Sequence, residues 1–188
     1  MESVKSNRAV SKLTYAAFTA LTAAIIAVCA WITVPGPVPF TMQTFGVFLA
    51  LRLLGGKRGS ISVALYILLG AAGLPVFSGF KAGIGVLIGP TGGYILGFIF
   101  MALIYLAAEK ALVNRVRVYA AMISGLSVCY AFGTVQFIFV MKTSGTVYGA
   151  VQALMLCVVP YIIPDILKMI LADLTAARLG TAFKKLHE

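Results

Sequence analysis

The chain has 188 residues, of which 61% are hydrophobic and only 11% charged, with a mean hydropathy of +1.03. A soluble domain does not tolerate that balance, so the lipid bilayer is its solvent; at roughly 20 residues per crossing the length allows about six spanning helices and leaves no room for a separate soluble domain. The net charge of +10 reads as a topology signal rather than a nucleic-acid footprint, because of where the basic residues fall.

The predicted helices cover 13–34, 43–54, 60–72, 92–110, 117–141 and 161–183, with an extra apolar helical segment at 147–159, all in one membrane domain spanning 1–188. Six crossings with a cytoplasmic N-terminus return the C-terminus to the same side. They place Lys5, Arg8, Lys12, Arg52, Lys57, Arg58, Lys110, Arg115, Arg117, Arg178, Lys184 and Lys185 inside and only Lys81 and Lys142 outside, a strong positive-inside bias. Lys168 belongs to neither side. The first apolar run, of roughly 20 residues, exceeds the 7 to 15 of a signal-peptide core, and no small-residue cleavage site follows before Trp31 and the prolines. In the first helix Ala16, Ala20 and Ala24 recur at four-residue spacing and form a smooth face that another helix can approach closely. Cys29, Cys129 and Cys157 all lie in apolar segments and read as small buried side chains, neither disulfides nor metal ligands. The single histidine, His187, is in the tail.

The second and third helices are too short to cross alone. Gln43 to Leu54 reaches only ~18 Å and Ser60 to Ala72 only ~20 Å, against a hydrocarbon core of about 30 Å. The missing thickness falls to two irregular outer segments, Pro35 to Pro39 and Gly73 to Gly93, which must pack on protein or line a water-accessible cavity because unpaired backbone cannot face lipid. Pro35, Pro37 and Pro39 stiffen an extended strand that presents Thr41 and Gln43 with little freedom left to lose on binding; Thr41 also fits a plain helix cap. In the longer loop, glycines including Gly73 and Gly89 permit tight turns and close backbone approach to a ligand.

Asp165 and Lys168 are the most informative residues of the chain. Each charge would cost roughly 2.5 to 3.5 kcal/mol at the centre of a membrane helix, and a spacing of three puts both on one face, so a ligand pocket is predicted around them. Pro164 is expected at the start of the last helix, with Asp165 in its first turn, where the helix dipole favours a carboxylate. A buried ion pair serving only helix packing is the bland alternative, and such pairs stabilise weakly once desolvation is counted. Asp173 is expected to be hydrogen-bonded inside the bundle. Neither G-x-x-x-x-G-K-[ST] nor a complete G-x-G-x-x-G occurs, and no catalytic or metal-ligand constellation is present, so the chain is read as neither an ATPase nor another enzyme, and as needing no cofactor.

Five motifs then fall in order: Pro37-Val-Pro-Phe-Thr41-Met-Gln43, Leu51-Arg-Leu-Leu-Gly-Gly-Lys57-Arg-Gly59, Gly73-Leu-Pro-Val-Phe77, Gly89-Pro-Thr-Gly-Gly-Tyr94 and Pro164-Asp165-Ile-Leu-Lys168. From Ala16 to about Leu174 the chain resembles the biotin-specific S component, BioY, of energy-coupling factor (ECF) ABC transporters. The resemblance implies an all-α six-helix bundle in the bacterial plasma membrane that captures biotin from outside. It also implies partners, a transmembrane scaffold subunit and two ABC ATPases, with the Ala16, Ala20 and Ala24 face matching the family's A-x-x-x-A docking surface. Ser78, Phe80 and Lys81 depart from the glycine-rich loop expected of the family. Biotin's ureido ring suits Asp165 and Lys168, its thioether ring suits Phe77 or Tyr161, and Thr41, Gln43 and the backbone from Gly89 to Thr91 suit its polar ends, including the carboxylate. A stand-alone or proton-coupled secondary transporter of biotin or another small vitamin is the alternative reading.

Overall fold

In the computed structural model the described residues are 2–36 and 38–185, with side chains described from 13 to 180 except at position 37. The chain is mostly helical. Helix α1 spans Glu2–Trp31, α2 Gln43–Ala71, α3 Ile84–Ile88, α4 Gly92–Ala108, α5 Arg115–Thr143, α6 Ala150–Cys157 and α7 Val159–Lys185. A short antiparallel pair, β1 (Thr33–Val34) and β2 (Phe40–Thr41), lies between α1 and α2. Among the described residues four helical stretches are long and apolar enough to cross a bilayer, Leu13–Trp31, Gly92–Ala111, Arg115–Thr143 and Ala150–Gly180, and these make it a membrane protein.

Helix α2 is a hairpin. Gly55 has φ 78° and ψ 174°, a conformation that glycine adopts without a Cβ penalty. Beyond it the chain doubles back, so that the Gln43 amide donates to the Tyr66 hydroxyl at 2.6 Å. A straight helix would hold those residues ~34 Å apart. Gly59 packs so closely that a Cβ there would sit 2.8 Å from the Leu51 Cα. The two arms are therefore 43–54 and 56–71. The second begins earlier than the predicted 60, because the Gly56 N–H is satisfied by the Glu109 carboxylate at 2.8 Å, which secures its free end.

Other boundaries also move for local reasons. Helix α1 starts well before residue 13 and stops at Trp31, short of the predicted 34, since Val34 precedes Pro35 and is driven to extended backbone. Helix α4 ends at Ala108, and residues predicted to continue it form a 3₁₀ turn, Glu109–Ala111. Helix α5 begins two residues before the expected 117, where the Asn114 side chain accepts from the Arg117 N–H at 2.9 Å as an N-cap does. The extra segment shrinks from 147–159 to Ala150–Cys157. Helix α7 starts at Val159, so Pro164 lies inside it and Asp165 in its second turn. Proline's missing donor is tolerated at a helix start, and it is Pro160 that occupies that place. The dipole argument for Asp165 weakens accordingly.

Helices α4 and α5 pack backbone against backbone. A Cβ on Gly93 would meet the Gly133 Cα at 2.9 Å, and one on Gly97 the Cys129 Cα at 3.0 Å, the close approach that small residues allow between membrane helices. The main apolar core joins α1, both arms of α2, α4, α5 and α7. Arg52, Lys57, Arg58, Lys110, Arg115 and Arg117 sit at the end of the bundle that holds the Gly55 turn and the α4–α5 connection. There Arg58 covers the Tyr15 ring at 3.3 Å. Lys5, Arg8, Lys12, Lys184 and Lys185 have side chains outside the described ones, and His187 lies outside the described residues. The opposite end carries β1, β2 and the 72–91 segment, including a 3₁₀ turn, Ser78–Phe80, and α3 where an irregular loop was predicted.

Candidate functional site

A cavity of about 240 Å³ opens at the end opposite the Gly55 turn. Its polar floor is built from α7. Asp165 and Lys168 are only 3% and 4% exposed and form an ion pair at 2.8 Å; one helical turn separates them, so both side chains reach the same point. Thr44 donates to Asp165 Oδ1 at 2.8 Å and Tyr130 to Oδ2 at 2.6 Å. Lys168 donates to the Thr41 carbonyl at 2.6 Å and lies 3.9 Å from the centre of the Phe40 ring. Three donors on one carboxylate compensate the hydration that burial removes.

The walls draw on β2, α2, the 72–91 segment, α4, α5 and the start of α7 itself. Thr41 and Gln43 lie where β2 meets α2; the Thr41 hydroxyl donates to Gln43 Oε1 at 3.1 Å and accepts from the Gln43 N–H at 3.2 Å. The N-cap of α2 is Met42, so Thr41 stands one residue outside the cap, meeting the first helical N–H while lining the cavity. The short strand holds the chain extended as far as Thr41, although Pro37 lies outside the described residues. Tyr161 donates to the Val38 carbonyl and stacks on Phe40, with centroids 6.2 Å apart. Phe77 is fully buried edge-on to Tyr66, over Gly70, where a Cβ would meet its ring at 2.1 Å. Thr91, just ahead of α4, completes the sequence-predicted residues around the space.

Two predicted residues do not line it. Gly73 has φ +104° and terminates α2 away from the cavity, its freedom used for the turn. Gly89 gives its carbonyl to the Gln136 amide at 3.0 Å and its N–H to Val86 at 3.3 Å, so its backbone faces protein and not the open space. Ala16, Ala20 and Ala24 are all exposed, whereas Ala23 and Ala27 of the same helix are buried in the bundle.

The sequence profile of the BioY family matches residues 3–185. The chain belongs to the BioY family. It is 46% identical over 158 residues to the biotin transporter BioY of Thermotoga maritima, covering 83% of this chain and 89% of that one. It is 41% identical over 162 residues to the probable biotin transporter BioY of Pyrococcus horikoshii, covering 85% and 92%. The crystal structure of the S component for biotin from an ECF-type ABC transporter superposes with a TM-score of 0.78 at 26% identity, covering 91% of this chain and 93% of that one. Those relatives are transporters and not enzymes.

In this BioY chain sequence reasoning missed Thr44 and Tyr130. Thr44 lies inside an apolar run one residue after Gln43, and Tyr130 is flanked along the chain by Val128, Cys129, Ala131 and Phe132; no spacing relates either to α7, and only the fold brings them to Asp165. Tyr94, Ser78 and Lys81 also line the cavity. Asp173 is held as expected inside the bundle: Arg52 approaches its Oδ1 at 2.6 Å and Tyr119 donates to its Oδ2 at 3.0 Å.

Proposed function

We propose that this chain is the biotin-binding, membrane-translocating S component of an ECF-type uptake transporter. Its six crossings comprise α1, the two arms of α2, α4, α5 and α7, the basic end faces the cytoplasm with both termini, and the cavity opens outward. A scaffold subunit docks on the Ala16, Ala20 and Ala24 face, and two ABC ATPases supply the hydrolysis for which the chain has no motif. The observation that carries this reading is a buried Asp165–Lys168 pair set in the floor of a cavity. A purely structural pair would be sealed among side chains, whereas this one borders open space that a guest with complementary donors and an acceptor can fill. Biotin's ureido N–H groups face Asp165 and its carbonyl faces Lys168, Phe77 and Tyr161 flank the fused rings, and Thr41, Gln43 and Thr91 lie along the remaining wall.

The test is equilibrium binding of biotin to the purified chain. Asp165→Asn and Lys168→Ala each remove one charge and leave the other buried, and binding is expected to weaken about a hundredfold or more in both, as when a buried charged partner is truncated. Wild-type affinity in both variants removes the pair from the pocket. Uptake in cells lacking the ATPases separates the ECF assignment from a transporter that works unaccompanied.

A further inference from the structure

Biotin ends in a carboxylate, and a carboxylate entering a largely apolar cavity needs a cation or several free donors. Of the candidates suggested by sequence, Thr91 offers only a neutral hydroxyl, and the others are already engaged. The Thr41 hydroxyl and the Gln43 carbonyl bond each other, the Gln43 amide donates to Tyr66, and the Gly89 N–H donates to Val86. Lys168 is neutralised by Asp165 at 2.8 Å. Among the described lining residues, the one other cation is Lys81. It is exposed, and no described carboxylate pairs with it.

The backbone that carries Lys81 is fixed. Phe77 and Lys81 form an isolated antiparallel bridge, with the Phe77 N–H donating to the Lys81 carbonyl at 3.1 Å. Between them Phe80 has φ +58°, a left-handed conformation that costs a bulky residue energy and persists where surroundings over-determine it. Those surroundings are visible. The Phe80 ring stacks on Trp31 with centroids 5.0 Å apart, Trp31 is held by donating to the Pro75 carbonyl at 2.9 Å, and Ser78 donates to Thr33 at 2.9 Å.

Building on the biotin-binding reading, we infer that Lys81, held at the cavity mouth by the Phe77–Lys81 turn and the Trp31–Phe80 stack, is the specificity residue that recognises the ligand's carboxylate. The cavity thus has a buried, internally neutral end for the ureido ring and an exposed cationic end for the acid. The departure from a glycine-rich loop at Ser78, Phe80 and Lys81 has a use on this account, since side chains replace backbone freedom with a placed charge.

The discriminating experiment is calorimetric titration of the purified full chain with biotin and with its uncharged primary amide. Wild type is expected to prefer the acid by about tenfold, as for one charge-assisted hydrogen bond at a partly exposed site, and the preference should shrink at high salt. Lys81→Ala should weaken acid binding by that factor, leave amide binding unchanged and so erase the preference; Lys81→Arg should retain it. Equal wild-type affinity for acid and amide overturns the role of Lys81, as does an alanine variant that keeps the preference or loses both ligands equally. In those outcomes biotin still binds and the transport reading stands; a wild type that binds neither ligand overturns both.

Discussion

The carboxylate of Asp165 sits in a fixed cage, with Lys168 and Thr44 on one oxygen and Tyr130 on the other. Removing the Tyr130 hydroxyl as Tyr130→Phe keeps the ring and its packing but deletes a hydrogen bond to a charged acceptor, an interaction of about 1.5 to 3 kcal/mol. Biotin affinity is expected to fall about tenfold or more while the thermal midpoint falls by only a few degrees. A variant that unfolds easily yet binds biotin normally would give Tyr130 a structural role alone. Sequence made Asp165 and Lys168 conspicuous because charges are rare in apolar segments. It was silent about Tyr130 and Thr44, whose types are ordinary in membrane helices and whose partners are 35 and 121 residues away.

At the level of elements, the first arm of α2 and helix α7 are joined twice. Thr44 and Thr41 engage Asp165 and Lys168 near the cavity, and Arg52 engages Asp173 eight residues further along each helix, ~12 Å away by helical rise. Asp173 is 1% exposed, so deleting its cationic partner strands a buried charge, which costs about 3 to 5 kcal/mol, whereas replacing both partners by apolar residues is often nearly neutral. Thermal unfolding in detergent should therefore show Arg52→Met strongly destabilised, and the double variant Arg52→Met with Asp173→Leu recovering most of the loss. An unchanged single variant would mean that Tyr119 alone satisfies the carboxylate. The hairpin around Gly55 was legible as two short apolar runs separated by glycines and basic residues. The starts of the second arm and of α7 were not, because the Glu109 carboxylate and the position of Pro160 set them, and hydropathy registers neither.

For the whole molecule, Arg52, Lys57, Arg58, Lys110, Arg115 and Arg117 gather at one end and the cavity opens at the other. Single cysteines in place of Lys142 and Lys110, in a background lacking Cys29, Cys129 and Cys157, give the orientation directly: a membrane-impermeant maleimide added to intact cells should label position 142 and spare 110. The reverse pattern would put the cavity on the cytoplasmic side and end the capture reading.

What the amino-acid order determined by itself was the solvent and the number of apolar runs, because hydropathy and charge are summed along the chain and need no partner to be read. It also marked Asp165 and Lys168, since the cost of an intramembrane charge is a local property. Only the tertiary structure decided which oxygen of Asp165 is held by Thr44 and which by Tyr130, that Gly73 and Gly89 are not among the residues lining the cavity, and that Lys81 lines it next to a left-handed Phe80. Each of those depends on groups far apart in sequence meeting at hydrogen-bond or van der Waals distance, and that proximity is a property of the packed bundle alone.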